Sequence, residues 1–451
     1  MSHPQGYYPT KATNKIAGAR SLKPCYYLVG VIEMKRPLCW VGILLGLLSS
    51  LIILTSCLPK ARMDVRPSFQ SSEDEKRMLP VDKSEWSWVD RQGKIRNFEQ
   101  TQKVLLEIMD ESGVSGLSIV LKQGKNWSNN PSVYTLDLGV EDPKTRKPID
   151  AMTVFQADRL GQPVVAYIVM KLVTDEQFDL DRPLNKYLPN SAFDNSPYQD
   201  VLGDSRYKRL TARRILSHRS GLANSRLTHP EKKLTFIASP GKGFLYSDEG
   251  YGFLQFVLEQ RFGKSLNELA KSYVFNPLGM KRTSFVREPH FEGHVATVAG
   301  TEPYVNSSTS AMPWTFITNA SDYTRFMWVV RLENLHLSHE TYMSYIIYPE
   351  VSIRSPLIFE PPHSEGSPTL PPKLSWCLGW GTYQIPRVML GICSFIGQRN
   401  QGMESYATIY ESEKSTALTI FVASNSQHSC TATILRELLG EMETPLSWLG
   451  F

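Results

Sequence analysis

The chain reads as an α/β protein of the segregated, α+β kind, with strands gathered toward its two ends and helices between them. Three patterns predict this: an amphipathic stretch followed by two strand-like runs, a long middle dominated by helical spacing, and late strands closed by a last helix. Val104, Leu105, Ile108 and Met109 recur at helical spacing, so the first helix is expected over Phe98 to Met109. Val114 to Lys122 and Ser132 to Val140 read as the first strands, with Lys125 to Pro131 turning between them. Val165, Ile168, Val169 and Leu172 fall at i, i+3, i+4 and i+7, and Pro163 suits the first turn of that helix. Helices are also expected over Asn319 to Val330 and His339 to Ile347. Ser355 to Pro372 holds six prolines and reads as a surface insertion. The late strands are expected at Trp376 to Ile385, Val388 to Phe395, Tyr406 to Glu411 and Leu418 to Ala423. A final helix from about Thr431 to Glu441 would bury Ile434, Leu435, Leu438 and Leu439.

With 451 residues, 41% apolar and 21% charged, the chain can bury a full core as one large domain or two closely joined ones. Its formal charge of +5 is misleading. Residues 1–56 hold six bases (Lys11, Lys15, Arg20, Lys23, Lys35, Arg36) and one acid, Glu33. Taking these from the 49 bases and 44 acids of the whole chain leaves 43 of each. A neutral body argues for no nucleic-acid partner.

Met34-Lys35-Arg36 precedes an apolar run from Trp40 to Leu54 that ends in Leu54-Thr55-Ser56-Cys57. A cationic start, an apolar core and small residues before a cut site describe a secretory signal. The last four residues resemble a bacterial lipobox, which would make Cys57 the lipidated first residue. The alternative is an uncleaved anchor, since Trp40 to Leu58 is long enough to span a bilayer. On either reading the protein is exported and membrane-attached, in a bacterial cell envelope and on the periplasmic side of a Gram-negative one. The expected domains are a leader at 1–57, whose true start could be Met34, a polar tether at 58–95 that lets the body stand off the bilayer, and the body at 96–451. The body's cysteines are Cys377, Cys393 and Cys430, an odd count. Cys377 and Cys393 flank an expected hairpin, and pairing and burial as thiols both stay open. There is no Cys-x-x-Cys or His-Glu-x-x-His pattern, so neither a metal nor any other cofactor is expected.

Four stretches carry a resemblance. They are Phe155 to Pro189, Lys208 to Asn224 with LTARRILSHRSGL, Pro240 to Phe285 with PGKGFLYSDEGYGFLQ and NPLGMKRTSF, and Ser405 to Asn425. Together they resemble the serine β-lactamase and penicillin-binding family, in particular its class C β-lactamase and esterase branch. The resemblance implies a β-lactamase/transpeptidase-like fold, in which an antiparallel sheet flanked by the terminal helices lies beside an all-helical region, with the cleft between the two. It also implies where the chemistry should be. The family's Phe-x-Ile-Gly-Ser-x-x-Lys segment falls on Phe155 to Gln162, so its serine lands on Arg159 and its lysine on Gln162. Acyl transfer needs an alkoxide and a base to make it; arginine supplies no nucleophilic oxygen and glutamine no useful basicity. The Tyr-x-Asn motif survives as Tyr246-Ser247-Asp248, with a carboxylate in place of an amide. The Lys-Thr-Gly position, counted back from Gly402 on an edge strand, gives Ile396-Gly397-Gln398, or Phe395-Ile396-Gly397 one residue earlier. Neither register holds a cation, and Arg399 is the nearest positive charge.

Arg159 reads either as a plug pairing with Asp248 or as drift after activity was lost. Tyr246 reads as a packed aromatic before it reads as a general base. His218 and Ser220 suggest a substitute dyad, but in the family their stretch is a turn that Gly221 permits. Arg159, Tyr246, Asp248 and Arg399 are the expected binding residues, with no catalytic residue expected. The expected role is binding of a peptidoglycan-type peptide or an envelope protein; an active esterase, peptidase or β-lactamase with rearranged residues is the alternative.

Overall fold

The computed structural model describes residues 83–124, 131–298, 313–330, 337–338, 341, 345, 348–353, 374–384, 392–400, 402–410, 414–424, 426, 428–441 and 446. The expected leader, most of the His339 to Ile347 helix and the proline-rich Ser355 to Pro372 lie outside them. So does the Cys393 side chain. In chain order the main elements are β1 (Ser87–Val89), β2 (Ile95–Asn97), α1 (Phe98–Glu111), β3 (Val114–Gly124), β4 (Ser132–Asp142), β5 (Lys147–Pro148), β6 (Phe155–Gln156) and α2 (Gly161–Thr174). Then come α3 (Ala212–Leu216), α4 (Asp248–Phe262), β7 (Ile317–Thr318), α5 (Ala320–Trp328), β8 (Val351–Ser352), β9 (Leu374–Trp376) and β10 (Gly381–Gln384). The chain continues through β11 (Ile392–Asn400), β12 (Met403–Tyr410) and β13 (Ser415–Ser424) to α6 (Thr431–Leu439). Nine strands form one antiparallel sheet in the order β5-β4-β3-β13-β12-β11-β10-β9-β8.

Side chains alternate between the two faces of this sheet, which sorts the molecule into layers. Behind it lie α1 and α6. The Asn97 side chain caps α1 by accepting from the Gln100 N–H, and Thr101, Leu105, Ile108 and Met109 form its buried stripe. In front lies α5, whose Thr324 hydroxyl meets that of Thr419 on β13 at 2.7 Å. Beside α5 runs α2, buried on every side from Gly161 to Met170, as a helix apolar all round must be. The Ser247 side chain caps α4, and Gly263 ends it in the left-handed region at φ 63°.

Two expectations are corrected. The tether does not reach residue 95, because β1 and β2 pair there and Trp88 is only 1% exposed. The Trp88 indole N–H donates to the Leu438 carbonyl at 2.7 Å, and Arg96 reaches Glu437 at 3.3 Å, so the hairpin closes over α6. An indole with its one donor satisfied is as buriable as any apolar side chain, and polar composition upstream hid it. The single strand expected over Trp376 to Ile385 is two, β9 and β10, joined by a tight turn in which the Cys377 N–H donates to the Trp380 carbonyl. Gly379 makes that turn at φ 92°, and a Cβ there would collide with Ala166 on α2.

Trp88→Ala removes a large buried ring and the hydrogen bond that ties the hairpin to α6. A loss of about 3–5 kcal/mol in unfolding free energy is expected, read from urea denaturation. A loss under about 1 kcal/mol would mean that the hairpin is not part of the core.

Candidate binding cleft

The floor of the cleft is built where β6 hands over to α2. The Ala157 and Asp158 N–H groups both donate to the Phe316 carbonyl, at 2.8 and 3.1 Å, which pins a 3-10 turn over Asp158–Leu160. Asp158 holds φ 38° there, a region that most residues avoid and aspartate tolerates best after glycine and asparagine. Its carboxylate accepts from the Gln156 amide at 2.9 Å and the Asn400 amide at 3.2 Å. Burial nevertheless pushes this carboxyl above its usual range, against the opposing pull of Gln398, Gln156, Asn400 and Arg159.

Arg159 follows, with a fifth of its side chain exposed. Its guanidinium lies 3.7 Å from Asp248 and 5.1 Å over the Tyr246 ring. Burial alone would make it a weaker base, but Tyr246, Asp248 and Asp158 outweigh that and raise it. Its main-chain N–H points toward the Gln398 side-chain oxygen at 3.4 Å. One turn on, Gln162 is 1% exposed and donates from one amide nitrogen to both the Tyr246 hydroxyl at 2.7 Å and Asp248 at 2.9 Å. The Tyr246 hydroxyl in turn donates to Asp248 at 2.8 Å. In this closed triangle the Tyr246 phenol points its proton at Asp248, and burial drives the phenol well above its usual value. Asp248 opens α4, where the helix dipole favours a carboxylate, and its N–H is held by Asn224 at 3.0 Å.

The substitute dyad does not form. The His218 Nδ1 accepts from the Ser247 N–H at 3.2 Å, and its ring stacks on Tyr246 at 4.1 Å among Phe244, Tyr251 and Trp376. Burial first, and Arg159 second, hold it well below its usual pKa, so it stays neutral. The Ser220 hydroxyl accepts from the Leu222 N–H instead. Gly221 makes the turn at φ 76°, where a Cβ would strike the Ala238 carbonyl.

Arg399 is corrected. It alternates to the back of the sheet and pairs with Glu404 at 2.9 Å, a buried carboxylate that also takes the Ser429 hydroxyl at 2.7 Å and that of Thr431 at the start of α6. Its work is to anchor the last helix. Ile396 and Gly397 are buried within β11 and do not line the cleft. The strand is also not at the sheet edge, yet its pairing with β10 stops at Phe395, so Ile396 to Asn400 run on toward the Asp158 turn. Gln398 and Asn400 line the cleft there.

The cleft measures about 500 Å³ and is lined by Asp158, Arg159, Pro197, Tyr198, Asn224, Ser225, Arg226, Leu227, Asp248, Glu249, Trp314, Gln398 and Asn400. Of these the sequence pointed to Arg159 and Asp248 as binding residues, and it named Gln398 only as the last position of the Ile396-Gly397-Gln398 register. Asp158 was within reach, since it replaces the glycine of the aligned segment; Leu227 and Trp314 carry no local signal. Elsewhere Glu141, Asp150 and His294 gather their ligand atoms within 4.8 Å. The Lys147 ammonium sits among them, 2.8 Å from Glu141 and 3.0 Å from the His294 ring, so the charge there is met by a side chain.

A family model described as Beta-lactamase matches residues 101–437. The chain is similar to esterase EstB of Burkholderia gladioli, 25% identical over 199 residues, 38% of this chain and 47% of that one. It is also similar to the unguisins hydrolase ungD of Aspergillus violaceofuscus, 25% identical over 306 residues, 56% of this chain and 50% of that one. The chain thus spans about half the length of these curated relatives. A solved class C β-lactamase superposes with a TM-score of 0.59 at 14% identity, covering 77% of this chain and 96% of that one, a likeness of fold.

The His218 geometry sets a pH dependence. Its folded pKa is depressed, so below the usual value of 6.5 the unfolded chain takes up a proton that the folded one refuses, and stability falls as pH falls. His218→Leu removes that term but leaves the Ser247 N–H without its acceptor. The variant should be less stable than the parent at pH 8 by about 1–3 kcal/mol, with the gap closing by roughly 1 kcal/mol per pH unit below 6.5. Thermal melts at both ends of that range check this; a gap that stays constant would show that His218 titrates normally in the folded protein.

Proposed function

Since the chain belongs to the β-lactamase family yet carries Arg159 and Gln162 at the nucleophile and base positions, we propose that it binds a ligand in its cleft without serine acyl transfer. The observation that carries this reading is the Gln162 amide, which donates to both Tyr246 and Asp248. An amide of no useful basicity stands in the place of the base that would have to accept the proton, and arginine stands in the place of the attacking hydroxyl, its guanidinium over Tyr246. The ligand is a peptide or a protein surface of the cell envelope, reached from a membrane to which the N-terminal segment is attached. An active hydrolase with rearranged residues finds no support in the His218 and Ser220 geometry.

Hydrolysis of a chromogenic cephalosporin or a short-chain nitrophenyl ester should therefore stay at background, and a fluorescent penicillin or fluorophosphonate should leave the purified protein unlabelled. A stoichiometric covalent adduct would end the proposal.

The Arg159→Ser, Gln162→Lys double variant should acylate slowly at most and turn over to no useful extent. No cation stands at Ile396, the Arg159 main-chain N–H is taken by Gln398, and each missing stabilising contact costs on the order of 100-fold to 1000-fold in turnover. Efficient multiple turnover would show a cleft still organised for chemistry.

The proposed attachment has its own test. Intact-mass measurement should give a mature chain beginning at a lipid-bearing Cys57. An uncleaved N-terminus would favour the anchor instead.

A further inference from the structure

Resting on the reading of the cleft as a binding site, we infer that its ligand presents an apolar group together with an amine or an uncharged amide, and that a free carboxylate in the same place is rejected. The charges facing the cleft decide this. Three carboxylates, Asp158, Asp248 and Glu249, stand against two guanidiniums, Arg159 and Arg226. Both guanidiniums are already matched. Arg159 faces Asp248 at 3.7 Å. Arg226 makes two bonds of 3.0 Å to Glu249 and lies 3.6 Å from Asp200. The carboxylate left over is that of Asp158, 5% exposed, held by two side-chain amides and with no cation within 4 Å among the described residues.

An entering carboxylate therefore meets surplus negative charge in a partly dehydrated site and, among the described residues, finds both lining guanidiniums already facing carboxylates, which is how an interface selects against a partner of the wrong sign. An ammonium meets the opposite field. A neutral amide finds Asn224, Gln398 and Asn400 on the lining, side chains that both donate and accept. The apolar part of the lining is Leu227, 72% exposed, together with Trp314 and Tyr198. A large apolar side chain left that open on a concave wall is contact area waiting for a partner.

Three probes that differ at one end only test the inference by isothermal titration of the full chain in detergent at neutral pH: phenethylamine, N-acetylphenethylamine and 3-phenylpropionate. The amine or the amide should bind at least about tenfold tighter than the carboxylate. Asp248→Asn removes one carboxylate from the cleft, so it should narrow that preference by about tenfold, whereas Leu227→Ser should weaken all three probes alike. Equal or tighter binding of 3-phenylpropionate to the parent protein overturns the inference and leaves the cleft a binding site. A preference that Asp248→Asn does not move overturns the charge argument in the same way. Saturable binding of none of the three at millimolar concentration overturns the inference and the binding reading together.

Discussion

Helix α2 has no solvent face, and the rest of the molecule is arranged around that fact. Ten successive residues from Gly161 are buried, so the helix must be enclosed by its neighbours, among them α3 and the β9–β10 turn at Gly379. The Tyr323 hydroxyl holds the Leu160 carbonyl at 2.9 Å and the Tyr345 hydroxyl holds that of Pro163 at 2.8 Å, which satisfies acceptors that no water reaches. Because the helix cannot move without opening the core, whatever stands at its first turn is held rigidly in the cleft. A family that needed a nucleophile placed to within a fraction of an ångström would build it this way. Here the same rigidity fixes an arginine and a glutamine.

Most of the architecture was legible because it is written in periodicity. The α1 stripe, the paired strands β3 and β4, the α2 pattern and the last helix all bury one face or all faces, and burial leaves a repeating apolar trace. What was not legible had no such trace. The β1–β2 hairpin is short, and its hold on α6 includes one indole and one arginine whose partners lie more than 300 positions away in sequence. The β9–β10 turn hid in a continuous apolar run because both strands and the turn between them are buried. For the site, aligned motifs placed Arg159, Gln162, Tyr246 and Asp248 beside one another, but they could not say which way Arg399 turns. Strand parity decides that, and parity is known only once the register against β12 is known.

The cleft keeps the supports of a reactive centre with different side chains upon them. Asp158 still adopts a backbone conformation suited to glycine, and recruits Gln156 and Asn400 to make it tolerable. Tyr246 still lies over His218, whose ring fills an aromatic box and whose Nδ1 fixes the Ser247 N–H. Asp248 still begins α4 under the same cap. The replacements also satisfy one another: the amide of Gln162 bonds both neighbours, and the charge of Arg159 is answered by Asp248. Mutual satisfaction of this kind makes any single reversal costly, because it strands the partners of the residue replaced.

The first and last described elements of the domain, the β1–β2 hairpin and α6, lie together behind the sheet. The first hairpin rests on α6, the Arg399–Glu404 pair fastens α6 to the same face, and the cleft lies on the other face beside α2. The hairpin and the last helix thus close over each other as one seam behind the sheet. Substitutions along that seam can therefore shift the stability of the whole domain while every side chain that lines the cleft stays as it is.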